Sequence, residues 1–124
     1  MQKKVLIVDD DPALLKVLSS KLRSLGYVVL EAGNGKQALT KFKQESLDLV
    51  LLDAVMPLMS GFEVLEEIKI KQKSKVPVII LSNLAESQDI EMGKNLGAAD
   101  YITKSNLTLK EMAVKIHNTI QSNG

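Results

Sequence analysis

Short apolar runs alternate along the chain with longer segments in which apolar residues recur at helical spacing. The first run, residues 4–8, is apolar on both faces, which is typical of a buried parallel strand. Asp11 and Pro12 then have the form of an N-cap and a first helical position, and Gly26 favours a helix stop. The leucines expected on the stripe between them are Leu14, Leu15, Leu18, Leu22 and Leu25. The first unit is therefore predicted to be a strand followed by a helix.

The same alternation repeats four more times along the chain. The further predicted strands are 27–31, 47–53, 76–81 and 99–103. The further predicted helices are 36–45 with Ala38, Leu39 and Phe42 inward, a helix that opens at Ser60 and Gly61 and carries Phe62, Leu65 and Ile68, then 86–96, and 109–121 with Leu109, Met112, Ala113, Ile116 and Ile120 on one stripe.

Five strand–helix units with short connections predict a parallel sheet covered by helices on both faces, because right-handed crossovers bury each apolar stripe. This is a doubly wound α/β fold. Residues 1–121 are predicted to form one domain, and residues 122–124 a frayed tail. In such folds ligands bind beyond the carboxyl ends of the strands, so we expect the informative residues there.

Composition narrows the classes of function. Hydrophobic residues make up 45% of the 124 residues and charged residues 25%, as in ordinary globular proteins. Sixteen basic and fifteen acidic side chains leave a formal charge of +1, which argues against sequence-independent binding to DNA or to an anionic membrane. Cysteine is absent, and no apolar run approaches the roughly 18 residues of a membrane span. We expect a cytoplasmic protein without disulfides, direct nucleic acid binding or membrane insertion.

The residues just beyond the predicted strands are polar or charged: Asp9, Asp10 and Asp11 after the first, Asp53 after the third, Ser82 after the fourth, and Thr103 and Lys104 at the fifth. If the first and third strands are neighbours, Asp9, Asp10 and Asp53 share one crevice, where like charges raise one another's pKa. A bound cation would relieve that repulsion. Oxygen-only ligands that leave room for water and phosphate favour Mg²⁺, with Mn²⁺ close behind, over a calcium cage.

Each of these residues also has an ordinary structural explanation. Asp11 alone would serve as a helix cap, and Asp53 alone would cap the loop before Met56 and Pro57. A purely structural explanation does not require three acids, a hydroxyl and an ammonium at separate strand ends of one face. Taken together, they favour one shared functional site.

With this ordered set, the chain resembles the receiver domain of bacterial two-component response regulators over essentially its whole length. The matching segments are Val8-Asp9-Asp10, Asp53-Ala54-Val55-Met56-Pro57 with Met59 and Gly61, Leu81-Ser82, and Gly97-Ala98-Ala99-Asp100-Tyr101 leading to Lys104. Each segment alone is weakly specific, but their order and spacing are highly specific. The resemblance implies a five-stranded, flavodoxin-like sheet of strand order 2-1-3-4-5.

The resemblance also implies a phosphoacceptor switch in a two-component phosphorelay, not an enzyme that turns over an external substrate. Asp53 would take a phosphoryl group from a phosphohistidine on a sensor histidine kinase or a histidine phosphotransfer protein. Asp10 and Asp53 would hold Mg²⁺ directly, Asp9 through water, and Val55 through its backbone carbonyl. Phosphoryl transfer asks mainly for such positioning and charge neutralisation.

Three further residues carry roles implied by the resemblance. Lys104 would neutralise phosphoryl oxygens, and Ser82 would hydrogen-bond one of them and draw its loop inward. Tyr101 matches the aromatic switch position, although a partly buried tyrosine at a strand edge is its ordinary alternative. The face formed by the fourth helix, fifth strand and fifth helix would then change and be read by a downstream protein or by a second copy.

The sequence departs from the receiver pattern at several positions. Ser105 stands where receivers carry a proline preceded by a cis bond, and a cis bond before a non-proline costs roughly 3 kcal/mol, so we expect a trans bond and a rearranged lysine loop. Asn83 replaces a small residue and is expected to narrow phosphoryl access. Val55 and Leu84 are apolar where receivers often carry groups that influence attacking water, which predicts a long-lived phosphorylated state. His117, the only histidine, is predicted to be a surface residue.

Three other functions compete with the switch. An aspartyl phosphatase would carry a second acid two residues after the nucleophile, where this chain has Val55. A flavodoxin-like protein would have to hold a flavin phosphate against Asp9, Asp10 and Asp11, which would repel it. An unphosphorylated docking module of receiver fold is made plausible by Ser105 and Asn83.

Overall fold

The computed structural model describes residues 2–83 and 86–123. The five strands are β1 Lys4–Val8, β2 Val28–Ala32, β3 Leu49–Leu52, β4 Val78–Ser82 and β5 Asp100–Thr103. The helices are α1 Pro12–Ser24, α2 Gly35–Gln44, α3 Gly61–Glu66, α4 Ser87–Asn95 and α5 Leu109–Asn123. The strands form one parallel sheet in the order β2-β1-β3-β4-β5, which confirms the predicted doubly wound architecture.

Both faces of the sheet are buried, which is why its central strands read as apolar throughout. Along β1, alternate side chains enter two separate hydrophobic cores. The core on the α1 and α5 side includes Val5, Ile7, Leu18, Leu22, Leu49, Leu51, Ile79, Leu81, Ile102, Met112, Ile116 and Ile120. The core on the other side includes Leu6, Val8, Ala38, Val50, Leu52, Val64, Leu65, Ile68, Val78 and Ile80. Helices on both faces thus leave the strand ends as the place for polar chemistry.

Helix α1 starts where the sequence predicts and buries a narrower stripe than expected. The Asp11 side chain accepts hydrogen bonds from the N–H groups of Ala13 and Leu14, and Pro12 occupies the first helical position. Leu25, expected on the buried stripe, is 53% exposed. It is the C-cap residue, just before Gly26 with its φ of +96°, so the chain has already left the helix at that point.

The later helices differ from their predicted bounds at their ends. Leu65 and Ile68 are buried as predicted and Phe62 is half-buried, but the chain changes from α-helix to a π-helical turn at Glu67–Lys71. Helix α5 continues through Asn123, two residues beyond its predicted end, while Gly124 lies outside the described residues. Among the described residues, no helix combines the length and the apolar character needed to span a bilayer.

Candidate functional site

Asp9 and Asp53 meet at the carboxyl edge of the sheet because β1 and β3 are hydrogen-bonded neighbours. Val8 pairs with Leu52, so the next residue on each strand lies at the same edge. The Asp53 N–H donates to the Val8 carbonyl at 2.9 Å, which fixes the backbone there. One carboxylate oxygen from each of Asp9, Asp10 and Asp53 lies within 4.8 Å of the others. The three acids expected in one crevice are therefore brought together.

The three carboxylates differ in their exposure to water. Asp9 and Asp53 are 2% and 5% exposed, whereas Asp10 is exposed. The Asp11 N–H donates to Asp9 Oδ1 at 2.9 Å, and the Val55 N–H donates to Asp53 Oδ1 at 3.2 Å. Two of the acids are thus held by their own loops, and Asp10 faces the solvent from which a cation would arrive.

Lys104 is the cation that faces this acidic cluster. Its Nζ lies 3.0 Å from Asp9 Oδ2 and 3.3 Å from Asp53 Oδ2. Its backbone N–H donates to the Ser82 carbonyl at 2.9 Å, which ties the loop after β5 to the end of β4. The Lys104–Ser105 peptide bond is trans, as expected for a non-proline bond. The ammonium group reaches both acids with this bond trans, so a proline at position 105 is not needed for the contact.

The electrostatics of the cluster follow from burial and from one shared ammonium. Burial raises the pKa of Asp53, and the nearby charge of Asp9 raises it further. The Lys104 charge and the Val55 N–H act in the lowering direction without cancelling the rise. Burial alone would lower the pKa of Lys104, but its contacts with Asp9 and Asp53 outweigh that effect and raise it.

Ser82 ends β4, and Tyr101 is the second residue of the neighbouring strand β5, where it pairs with Ile80. Ser82 is buried, and a hydrogen bond joins its side chain to that of Tyr101. Burial raises the pKa of Tyr101, and the bond to Ser82 opposes part of that rise. The Tyr101 ring packs against Gly93 of α4, where an added Cβ would lie 3.1 Å from the ring carbon Cδ2. The tyrosine therefore contacts α4 and Ser82 at once.

The remaining residues singled out in the sequence are Val55, Asn83, Leu84 and His117. Val55 is 56% exposed and contributes its N–H to Asp53, while the part expected of its carbonyl stays a prediction. Asn83 is exposed next to Ser82. Leu84 lies outside the described residues. His117 is exposed, as predicted, and its Nδ1 lies 3.1 Å from the Tyr27 hydroxyl.

Sequence reasoning recognised Gly61 as a motif residue but missed what it does for the site. A Cβ at Gly61 would lie 2.0 Å from the Asp53 carbonyl oxygen and 2.8 Å from the Ala54 Cα. The Gly61 N–H donates to the Ala54 carbonyl at 2.9 Å. The start of α3 therefore closes directly on the backbone of Asp53, and only a residue without a side chain fits there.

The donor set suits a hard divalent cation. The cluster offers only carboxylate oxygens, without histidine or cysteine, and it combines two buried acids with an exposed one. Like charges held at this spacing in a partly desolvated crevice favour binding of a cation. The residues present therefore fit Mg²⁺ or Mn²⁺.

Comparison with known proteins points to one family. The chain matches the family described as "Response regulator receiver domain" over residues 5–117. A relative named "Probable transcriptional regulator ycf27", from Guillardia theta, is 39% identical over 120 residues, which cover 97% of this chain and 46% of the relative. A CheY-like receiver domain structure from Methanospirillum hungatei matches with a TM-score of 0.93 at 30% identity, covering 99% of this chain and 97% of that one.

A second solved structure that this chain resembles was determined with a bound magnesium complex. The response regulator TrrA from Thermotoga maritima, solved in complex with Mg²⁺-BeF, matches with a TM-score of 0.84 at 33% identity, covering 95% of this chain and 99% of that one. The chain spans about half the length of the curated relatives that it matches.

Proposed function

Because this chain belongs to the response regulator receiver domain family, we propose that it is a signalling switch in which Asp53 accepts a phosphoryl group. The observation that carries the proposal is the buried Asp53 carboxylate, which shares a crevice with Asp9 and Asp10 and lies 3.3 Å from the Lys104 ammonium. A nucleophilic oxygen, a cation-binding cluster and a fixed positive charge thus meet at one strand edge.

The acidic cluster of Asp9, Asp10 and Asp53 would hold Mg²⁺, or Mn²⁺ in its place. Asp10 and Asp53 would hold the ion directly, Asp9 would hold it through water, and the Val55 carbonyl would add a backbone ligand. When bound, the ion neutralises charge on the transferring phosphoryl group. The similarity to TrrA, which was solved in complex with Mg²⁺-BeF, supports this choice of ion.

The chain's own residues then carry the transfer. A carboxylate oxygen of Asp53 bonds to phosphorus while the bond from phosphorus to the donor's histidine nitrogen breaks, and that nitrogen keeps the electron pair. Lys104 neutralises an equatorial oxygen, and the Ser82 hydroxyl donates a hydrogen bond to another. The product is an acyl phosphate on Asp53, which is formed once per chain and slowly hydrolysed, so the protein is not an enzyme in the ordinary sense.

The switch runs through Ser82 and Tyr101. When Ser82 turns toward a phosphoryl oxygen, its hydrogen bond with Tyr101 is exchanged for a new one, and the ring changes its place against α4. The surface formed by α4, β5 and α5 changes with it.

Tyr101→Ala tests this coupling. The variant is expected to be phosphorylated normally, while its affinity for a target protein no longer changes on phosphorylation. A target affinity that responds to phosphorylation as strongly as in the wild-type chain would contradict the coupling.

The partners follow from this chemistry. The donor is a sensor histidine kinase or a histidine phosphotransfer protein in the cytoplasm, and the output is read by a downstream protein or by a second copy of the chain. The relatives' name, transcriptional regulator, makes DNA binding a property to expect of a longer protein that contains such a receiver. Direct nucleic acid binding by the receiver itself is not expected.

Two alternatives are weaker for stated reasons. A phosphatase that turns over external phosphoesters lacks its second acid, because Val55 occupies that position. A docking module that is never phosphorylated would not need Asp53, the acids Asp9 and Asp10, and Lys104 to be kept together at one strand edge. Val55 is apolar, so we expect it to orient the attacking water poorly and to prolong the phosphorylated state. Val55→Asn should therefore speed hydrolysis of the acyl phosphate.

Acetyl phosphate tests the proposal without a partner protein. With Mg²⁺, the wild-type chain is expected to gain the mass of one phosphoryl group, and Asp53→Ala is expected to gain none. A wild-type chain that gains no mass at any Mg²⁺ concentration would favour the docking module.

A further inference from the structure

A cavity between the end of α1 and the first turns of α5 combines an apolar lining with two basic side chains. Its volume is about 370 Å³, within the size range of pockets that hold small molecules. Tyr27 immediately precedes β2 and lines the cavity from the amino edge of the sheet, whereas Asp53 follows β3 at the carboxyl edge. The cavity is therefore separate from the acidic site. Its lining includes Lys21, Leu25, Tyr27, Lys110, Val114 and His117.

Two large apolar side chains that line this cavity are about half exposed to water. Leu25 is 53% exposed and Val114 is 51% exposed. A single exposed apolar residue needs no explanation, but these two come from different helices, the C-cap of α1 and the body of α5, and line one concave surface. Covering both would remove apolar surface from water, which is favourable. The lining therefore favours an apolar occupant.

Lys21 and Lys110 give the cavity a positive charge. Within the described part of the chain, neither ammonium group lies within ion-pair distance of a carboxylate. The basic residues that do are Lys4, Arg23, Lys71, Lys104 and Lys115. Among the described residues, no aspartate or glutamate lines the cavity. A negatively charged group on the occupant would therefore complement both lysines.

A hydrogen bond marks one end of the cavity. The Tyr27 hydroxyl lies 3.1 Å from Nδ1 of His117, and burial raises the pKa of Tyr27, so the hydroxyl stays protonated at neutral pH. Leu25, Tyr27 and His117 also line a neighbouring cavity of about 420 Å³. The residues common to both cavities form the boundary between them, and an occupant of the apolar cavity ends at this boundary.

We propose that this cavity binds a small amphiphilic carboxylate. Its anionic end meets Lys21 and Lys110, and its aliphatic or aromatic body covers Leu25 and Val114. The two lysines lie toward the same end of the cavity, because α1 and α5 each follow a strand of one parallel sheet and run in the same direction. Lys21 lies one turn before Leu25, and Lys110 lies two turns before His117. The proposal does not depend on the phosphorylation proposed above.

Charge and size favour this occupant over a larger partner. A two-fold dimer through this face would bring the lysine pairs of both copies toward each other, and like charges oppose that pairing. An acidic protein helix is about 10–12 Å wide, whereas the cavity spans only about two turns of α5 and ends at Tyr27 and His117. A flat anionic membrane surface does not enter a concave cavity. A small carboxylate meets none of these obstacles.

Decanoate is the probe, and decylammonium, which has the same chain length and the opposite charge, is its control. Each is titrated into the full chain while the backbone amide signals are followed by NMR. We expect saturable binding of decanoate with the largest shifts around Leu25, Tyr27 and Val114. Decylammonium should bind about fivefold or more weakly, because it faces two ammonium groups.

Two matched pairs of variants test the residues of the cavity. Lys110→Gln is expected to weaken decanoate binding about threefold, whereas Lys36→Gln, at the same second position of α2, should leave it unchanged. Val114→Asp places a carboxylate in the cavity and should weaken decanoate binding about tenfold or more. Val17→Asp is its control, because Val17 is 50% exposed on α1 and does not line the cavity.

Several results would overturn the inference. Decanoate could show no saturable binding, bind Val114→Asp as tightly as the wild-type chain, or bind no better than decylammonium. Amide shifts centred away from the cavity would place the probe elsewhere. Self-association that Val114→Asp abolishes, measured by sedimentation, would assign this face to a second copy. Binding to phosphatidylglycerol vesicles without binding of free decanoate would assign it to a membrane surface.

Discussion

At the scale of single residues, the site is defined by two buried carboxylates that share one ammonium group. Asp9 and Asp53 both contact Lys104 Nζ, and both are almost inaccessible to water. Burial raises the pKa of Asp53, and the charge of Asp9 raises it further because one ammonium does not fully compensate two carboxylates in a desolvated crevice. The same excess of negative charge costs stability in the absence of a bound divalent cation.

Asp53→Asn is therefore expected to stabilise the metal-free protein at neutral pH. The folded-state pKa of Asp53 lies above its unfolded value, so its ionised form destabilises the fold above the raised pKa. The penalty shrinks as the pH falls through that pKa and is absent below the unfolded value. We expect a gain of roughly 1 kcal/mol at pH 7, or about 3–5 °C, that fades in acid, measured by calorimetry with chelator. Glu91→Gln, exposed on α4, is the control, and a lower melting temperature for Asp53→Asn would contradict the expectation.

Ionisation of Asp53 is expected to show its environment in the metal-free chain. Burial and the Asp9 charge raise the pKa of Asp53, so the carboxylate is lost at a higher pH than for an ordinary aspartate. A carbon-13 NMR titration of the side-chain carboxyl in chelator should therefore have a midpoint above the usual range of aspartate, and Mg²⁺ should lower that midpoint. A metal-free midpoint at or below the ordinary aspartate value would show that the crevice does not perturb this group.

The sequence pattern did not predict that the Ser19 side chain is buried. It lies on the buried side of α1, and its hydroxyl has no hydrogen-bond partner among the described residues. A buried hydroxyl without a partner costs about 1–3 kcal/mol, so Ser19→Ala should raise the free energy of unfolding by about 1 kcal/mol. Ser20→Ala, exposed on the same helix, controls for helix propensity in denaturant titrations. Equal effects of the two substitutions would mean that the Ser19 hydroxyl is satisfied in solution.

At the scale of elements, the position of Asp53 depends on how closely α3 approaches β3. Gly61→Ala would place a methyl group 2.0 Å from the Asp53 carbonyl oxygen, so the loop has to move. We expect a loss of about 2–3 kcal/mol in stability and slower labelling of Asp53 by acetyl phosphate. Gly33→Ala is the matched control, because the nearest atom to its added Cβ is 3.7 Å away. A Gly61→Ala chain as stable as Gly33→Ala would show that α3 does not close on this strand.

The helices and strands also show which features the sequence pattern predicts and which it does not. The apolar runs and the Asp11–Pro12 start of α1 predicted the strands and that helix because burial and capping act over a few residues. The same patterns placed Leu25 on a buried stripe and gave no sign of the π-helical turn at Glu67–Lys71. Those features depend on where neighbouring elements end, and a periodic pattern carries no information about that.

At the scale of the whole molecule, strand order produces the site. Asp9 and Asp53 are far apart in sequence and meet only because β1 lies beside β3 in the parallel sheet. The resemblance to receivers allowed this convergence to be predicted from the sequence. The contact of Lys104 with Asp9 and the positive φ of Leu58 in the loop after β3 could not be predicted, because side-chain reach and loop closure follow from packing.

Cation binding should be visible in the stability of the whole domain. A ligand that binds only the folded state adds RT ln(1 + [L]/Kd), about 1.4 kcal/mol at ten times the dissociation constant. Mg²⁺ is therefore expected to raise the melting temperature of the wild-type chain, and Asp10→Asn should lose most of that shift. If Asp10→Asn retained the full rise in melting temperature with Mg²⁺, the ion would bind at another site.

The central claim is that Asp53 becomes an acyl phosphate in a crevice that binds a divalent cation. Borohydride reduces an aspartyl phosphate to the corresponding alcohol, so treatment of the chain after acetyl phosphate and Mg²⁺, followed by peptide mass spectrometry, locates the modified residue. We expect the reduced residue at position 53 alone, formed with Mg²⁺ and abolished by chelator. Reduction at any other aspartate, or equal reduction with and without the cation, would contradict the claim.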